Sequence, residues 1–130
     1  MTENELSKIV VETAIDIHRR LGPGLLEFVY SIVLSHELTK KGLSLEREVD
    51  VPIEWDGIRF EAGFRADIVV EGILLLELKS VEAIAPVHKM QVLTYLRVMN
   101  LKLGILLNFG AALMKDGIHR IVNGLEGAEE

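Results

Sequence analysis

The stretch Ile73–Ser80, ILLLELKS, constrains the fold more than any other: it is apolar at consecutive rather than alternate positions, the pattern of a strand covered on both faces. Such a strand belongs at the centre of a sheet with protein layered on either side, which is the arrangement of an α/β domain. A second buried apolar strand is expected over Leu103–Phe109.

The flanking sequence supplies the layers. From Glu3 to Leu21 the residues Leu6, Ile9, Val10, Thr13, Ala14, Ile17 and Leu21 recur at three- and four-residue steps, which predicts an amphipathic helix. Gly22-Pro23-Gly24 breaks it, and Leu25, Leu26, Val29, Ile32, Val33 and Leu38 predict the apolar side of a second helix running to Lys41 and stopped at Gly42. Beyond Gly42 the period falls to two. Leu43, Leu45, Val49, Val51, Ile53 and Trp55 alternate with acids, and Asp56-Gly57 signals a hairpin to a partner strand over Ile58–Val70. Pro86 opens a helix that extends to Asn100, and a terminal hairpin is expected over Leu113–Val122 around Asp116-Gly117. The order is ααβββαβ with a final strand. It predicts one domain over 1–123 and a flexible tail, Gly124–Glu130, with nothing to bury.

A chain of 130 residues buries roughly two thirds of its unfolded surface, enough for a core without disulfides or a structural metal. It has no cysteine, which excludes thiolate zinc sites, cysteine nucleophiles and disulfide chemistry. Its net charge of −6 repels a polyanion at long range, so any contact with nucleic acid must be local or metal-assisted. The N-terminal MTENELSKIV carries acids where a signal peptide carries basic residues, and no apolar run approaches the roughly 18 residues of a membrane span. A cytoplasmic location without membrane insertion is expected.

The chemistry is concentrated in FRADIVVEGILLLELKS, where Asp67, Glu77 and Lys79 interrupt apolar sequence. Residues two apart on a strand share a face, so Glu77 and Lys79 emerge together. A two-residue Glu71-Gly72 loop would pair position 67 with 76, set Asp67 on the other face and force Glu71 to positive φ. A three-residue loop, Val70-Glu71-Gly72, pairs 67 with 75, gives glycine the left-handed position and brings all three charges to one face. Two convergent carboxylates in an apolar setting suit Mg²⁺ or Mn²⁺, held with waters and a substrate phosphate, while a lysine beside them orients water or offsets charge on the phosphate. The plainer alternative is an intrastrand Glu–Lys pair with an aspartate at a strand end.

On the helix after the central strand, His88, Gln91 and Tyr95 fall at i, i+3 and i+7 and form one polar stripe that can lie over the same site. Taken without the strand motif, the stripe is better explained as an exposed helix face with Tyr95 at its apolar boundary. Glu27 and Tyr30 make a second polar pair after the Gly-Pro-Gly break, Glu27 serving either as a helix N-terminal charge or as a third metal-binding carboxylate. Arg65 is expected to share a strand face with Asp67 and to touch phosphate or neutralise Glu77.

Gly24-Leu-Leu-Glu27-Phe-Val-Tyr30 reads G-x-x-E-x-x-Y, and the chain resembles the small bacterial and archaeal GxxExxY family, which is assigned to the PD-(D/E)XK nuclease superfamily. The resemblance extends from the first helix through RADIVVEGILLLELK and HKMQVLTYLR to LKLGILLNFG. It implies an αβββαβ core with a mixed central sheet flanked by helices. Asp67, Glu77 and Lys79 match the superfamily's catalytic residues, and Glu27 matches the carboxylate of the preceding helix. Gln91 and Tyr95 look like the Gln-x-x-x-Tyr motif of the RecB-like branch, which supports the metal and the scissile phosphate. Ala66 replaces the proline of the superfamily's name, a position that ligates nothing.

The function expected is Mg²⁺- or Mn²⁺-dependent hydrolysis of DNA or RNA, with Glu27, Asp67 and Glu77 on the metal and Asp67, Glu77, Lys79, Gln91 and Tyr95 as catalytic residues. The competing expectation is a catalytically quiet nuclease-fold module for homo-oligomerisation, such as a homodimer, or for partner docking. A small-ligand pocket ranks third. Basic residues are scattered, so nonspecific affinity for nucleic acid should be weak and salt-dependent.

Overall fold

The computed structural model describes residues 1–125. In chain order it contains α1 (Glu3–Leu21), α2 (Glu27–Lys40), β1 (Leu45–Trp55), β2 (Ile58–Val70), β3 (Leu74–Lys79), α3 (Pro86–Met99), β4 (Leu103–Asn108), a 3₁₀ turn (Met114–Gly117) and β5 (Ile118–Val122). The strands form one sheet in the order β1-β2-β3-β4-β5. β3 and β4 are parallel and the remaining neighbours antiparallel, so this is the mixed sheet expected, with β3 at its centre.

Both faces of that centre are covered. Leu74, Leu76 and Leu78 of β3 and Leu103, Ile105 and Leu107 of β4 pack beneath α1 and α2, against Leu6, Val10, Ile17, Leu34 and Leu38. Leu75 and Leu106 point the other way, onto Val92 and Leu96 of α3. Gly104 allows this helix to lie close: a Cβ there would come within 2.9 Å of Val92 Cγ1. α1 is fixed at its start by a capping box, Thr2 Oγ1 accepting from Glu5 N–H while Glu5 accepts from Thr2 N–H.

Several expectations are corrected. α2 begins at Glu27, leaving Leu25 and Leu26 in an exposed loop, and buries Tyr30, Leu34, Ser35 and Leu38 rather than a face containing Ile32. The side facing the sheet is set by where the Gly22–Leu26 loop delivers the chain, and several apolar residues are left over for solvent. β1 is more exposed than a half-buried strand, with only Val51 buried, because β1 and β2 outrun the sheet: β2 pairs with β3 through Ile68, Val69 and Val70 alone. No hairpin forms over Leu113–Val122; the 3₁₀ turn replaces its first arm and β5 pairs with β4. Leu125, assigned to the tail, packs partly buried against the core, and the rest of the tail, 126–130, lies outside the described residues.

The β2–β3 turn also differs. Ile73 N–H donates to Val70 O at 3.1 Å, and both Glu71 and Gly72 have positive φ, 52° and 69°. The left-handed geometry avoided in the expected loop is therefore adopted by Glu71, and its N–H is held by Ser44 O at 2.8 Å. The ladder runs Val70↔Leu74, Val69↔Leu75, Ile68↔Leu76, which carries Asp67 opposite Glu77 instead of Leu75. The register moves by two residues, so the parity that sets Asp67 and Glu77 on one side survives.

Candidate active site

Where β2 and β3 part company, backbone N–H groups lose their ladder partners, and two carboxylates take over. Asp67 N–H donates to Glu77 Oε2 at 2.8 Å, and Leu78 N–H donates to Asp67 Oδ2 at 2.8 Å. Each acid thereby caps the other's strand, a reciprocal arrangement that fixes both side chains at the fork. One oxygen of each carboxylate, Oδ1 of Asp67 and Oε1 of Glu77, is not engaged in these bonds.

β2 turns over at the same point. Phe64 and Ala66 pack with the α3-side cluster while Ile68 and Val70 pack with the α1/α2-side cluster. Opposite Asp67, between the pairs Arg47↔Ile68 and Val49↔Ala66, Glu48 adopts φ 51°, a left-handed kink inside a strand. Glu48 lines one cavity with Glu27 and Asp67, and, after the larger effect of burial, its charge helps to raise the Asp67 pKa; it is a further acid of the site. Sequence reading missed it because it is one of several acids alternating along β1; only the strand register singles it out.

Glu77 is 8% exposed, and burial, followed by repulsion from Asp67, pushes its pKa up to about 8. Asp67 is raised by burial, against the lowering effects of the Leu78 N–H and of Lys79. Glu27 is raised by desolvation and then by Asp67. Lys79 lowers all three, yet makes no ion pair among the described residues. Negative charge is in excess at the fork, and a cation would be stabilised there.

Lys79 stands next to Asn108 in the β3–β4 register, and Asn108 holds the chain that follows. Its Oδ1 accepts from Val81 N–H and Gly110 N–H, both at 3.0 Å, and its Nδ2 donates to Val81 O at 2.9 Å. At 2% exposure it is a buried polar staple, and no spacing in the sequence marks it.

Tyr30 has a comparable task. Buried and stacked on Phe109 with ring centroids 4.5 Å apart, it donates through its hydroxyl to Gly22 O at 2.5 Å and accepts from Leu25 N–H at 3.1 Å. Ser80 Oγ donates to Leu25 O at 2.7 Å. The loop before α2 is tied down on both sides, and with it Glu27 at the first turn of the helix.

The remaining expected residues separate. Tyr95 stacks on Phe64 at 3.9 Å, and burial, then Glu77 and Asp67, raise its pKa, so it lies within electrostatic reach of the pair. Gln91, one turn earlier, is exposed and makes no side-chain hydrogen bond among the described residues. His88 Nδ1 accepts from Ala85 N–H at 3.1 Å and secures the start of α3. Arg65 pairs with Asp50 across the hairpin at 3.0 Å instead of neutralising Glu77, because the neighbouring strand offers a nearer acid.

Hard carboxylate oxygens suit Mg²⁺ or Mn²⁺, and Mg²⁺ commonly uses one or two carboxylates, completing its shell with waters and substrate phosphate. The Asp67–Glu77 pair fits that requirement. Among the described residues no three His, Asp or Glu side chains are gathered closely enough to hold an ion unaided. Among them, too, no helix is long and apolar enough to cross a membrane.

A family model described as the PD-(D/E)XK nuclease superfamily matches residues 4–121. No curated protein and no solved structure gives a significant match.

Proposed function

The chain belongs to the PD-(D/E)XK nuclease superfamily, and from that membership we propose that it is a divalent-metal-dependent nuclease hydrolysing phosphodiester bonds of DNA or RNA. The observation that carries the reading is the interlocked Asp67–Glu77 pair at the strand fork, short of positive charge and followed on the same strand by Lys79. Asp67 and Glu77 would hold Mg²⁺ or Mn²⁺, assisted by Glu27. The metal, when bound, supplies Lewis acidity and lowers the pKa of water.

The chain's own groups do the rest. Lys79 orients the attacking water and offsets charge growing on the scissile phosphate, through an ammonium that has no ion-pair partner among the described residues. Tyr95, braced by its stack on Phe64, and Gln91 orient the phosphate. Tyr30 and Asn108 act one step back, holding the segments that carry Glu27 and follow Lys79. Water adds to phosphorus and gives up a proton to solvent, the bond to the leaving oxygen breaks, and that oxygen takes up a proton from solvent to leave as the alcohol. A GxxExxY, RecB-like affiliation and a cytoplasmic location are part of the same proposal.

Calorimetric titration of Mn²⁺ into the wild type and Asp67→Ala tests the first step, because every nuclease version shares it. Binding abolished in Asp67→Ala, with metal-dependent cleavage lost in a folded Lys79→Ala protein, is the expected result. A well-folded wild type that neither binds Mn²⁺ nor cleaves single- or double-stranded DNA or RNA would refute it.

One feature favours a second reading. Trp55, Ile58 and Phe60 are exposed at the end of the β1–β2 hairpin, Trp55 at 74%, and such a tip suits homo-oligomerisation or docking by a catalytically quiet module.

A further inference from the structure

Beside the Asp67–Glu77 pair lies a cavity of about 210 Å³, lined by Glu27, Phe28, Ser31, Arg47, Glu48 and Asp67. We infer that it is a subsite for one unstacked nucleobase next to the scissile phosphate. This inference rests on the nuclease reading and specifies its substrate as a single strand or a frayed end.

Position supplies the first argument. Glu27 and Asp67 belong to both the cavity and the proposed metal site, so whatever fills the cavity is attached close to the reacting group. Size supplies the second: ligand pockets for drug-sized molecules run from roughly 300 to 1,000 Å³, and this one takes a ring-sized group.

Charge excludes a bare phosphate. The lining sets three carboxylates against one guanidinium, so a free dianion is repelled whereas a neutral ring with polar edges is not. Phe28 then supplies the surface. It is 58% exposed on the side of α2 opposite to buried Tyr30, Leu34 and Leu38, so the core makes no use of its ring. An aromatic face at a cavity rim is what a base stacks on, irrespective of sequence.

Arg47 supplies donors. Its Nη2 donates to Ser31 Oγ at 3.3 Å, which holds the guanidinium across the cavity and leaves its other N–H groups for ring nitrogens or carbonyl oxygens of a base. Glu48, the next residue of β1 and part of the same lining, is an acceptor for an exocyclic amino group. Donor and acceptor side by side match the edge of a base. A base paired and stacked within a duplex cannot reach this position without being extruded, so unpaired nucleotides are preferred.

The test uses the full chain in a Lys79→Ala background with Mn²⁺, reading fluorescence anisotropy of a labelled single-stranded oligonucleotide and of the blunt duplex of the same sequence. Phe28→Ala and Arg47→Ala should each weaken single-strand binding about five- to a hundredfold, while Phe28→Tyr retains it. In a Phe28→Trp, Trp55→Phe protein the sole indole sits at the rim, and the single strand should quench its fluorescence. Mn²⁺ affinity measured without oligonucleotide should be the same in all of these proteins. Unchanged single-strand binding in Phe28→Ala, duplex binding as tight as single-strand binding, or Mn²⁺ binding with no single-strand affinity would each overturn the subsite alone. Failure of every protein to bind Mn²⁺ would overturn the nuclease reading and the subsite with it.

Discussion

Replacing Glu77 by glutamine isolates the cost of a carboxylate at the strand fork. Glu77 is pushed up to about 8 from an ordinary 4.5 by burial and by Asp67. Between those values the folded chain holds a proton that the unfolded chain releases, so this group's contribution is complete below pH 4.5 and is lost as pH rises through about 8. From pH 5 to pH 8.5, with 1.36 kcal/mol for each unit of pKa difference, the wild type should lose about 4 kcal/mol from this residue. That is a large share of the roughly 5–15 kcal/mol that stabilises a domain. Glutamine keeps an acceptor for the Asp67 N–H and never ionises.

Urea unfolding followed by circular dichroism, in metal-free buffer from pH 5 to 8.5, reads the difference directly. Groups common to both proteins cancel, so Glu77→Gln should gain about 4 kcal/mol on the wild type across the range. Saturating Mn²⁺ should flatten the wild-type profile, because a cation offsets the charge that the proton otherwise removes. Parallel profiles that stay within about 1 kcal/mol of a constant difference would refute the claim that Glu77 is held neutral by its surroundings.

Asn108→Ala removes three hydrogen bonds, to Val81 N–H, Gly110 N–H and Val81 O, and should cost about 2–4 kcal/mol in urea unfolding. Tyr30→Phe keeps the stack on Phe109 but frees the Gly22–Leu26 loop; about 1–2 kcal/mol should be lost, with weaker Mn²⁺ binding by calorimetry if Glu27 assists the metal. Gly104→Ala drives a methyl against Val92 and Leu96 and should destabilise by about 1–3 kcal/mol, measured as a lower Tm, with the residues at the fork untouched.

Much of the architecture was legible. The change of period at Gly42, the Asp56-Gly57 hairpin and the unbroken apolar run of β3 gave the element order, the central strand and the helix layers. The shared side of Asp67 and Glu77 was legible too, although the turn that creates it is not the one expected. Glu71 takes the left-handed conformation because Ser44, 27 residues earlier in the chain, receives its N–H. A propensity argument has no access to that partner. The same limit explains Arg65, whose acid lies on another strand, and His88, whose imidazole is engaged by a helix start.

Element type in the three long helices and in β1–β4 was set by the sequence alone, because the periods of 3.6 and 2 that distinguish helix from strand are properties of neighbouring residues. The placement of charges two apart on one strand was set in the same way. The tertiary structure decided which side of α2 is buried, which of β1's acids faces Asp67, and that Tyr30 and Asn108 are fasteners. Each of those outcomes depends on what a distant segment brings within hydrogen-bonding or packing reach. The rise of Glu77 to about 8 is of this second kind, since it needs burial and a neighbour from another strand.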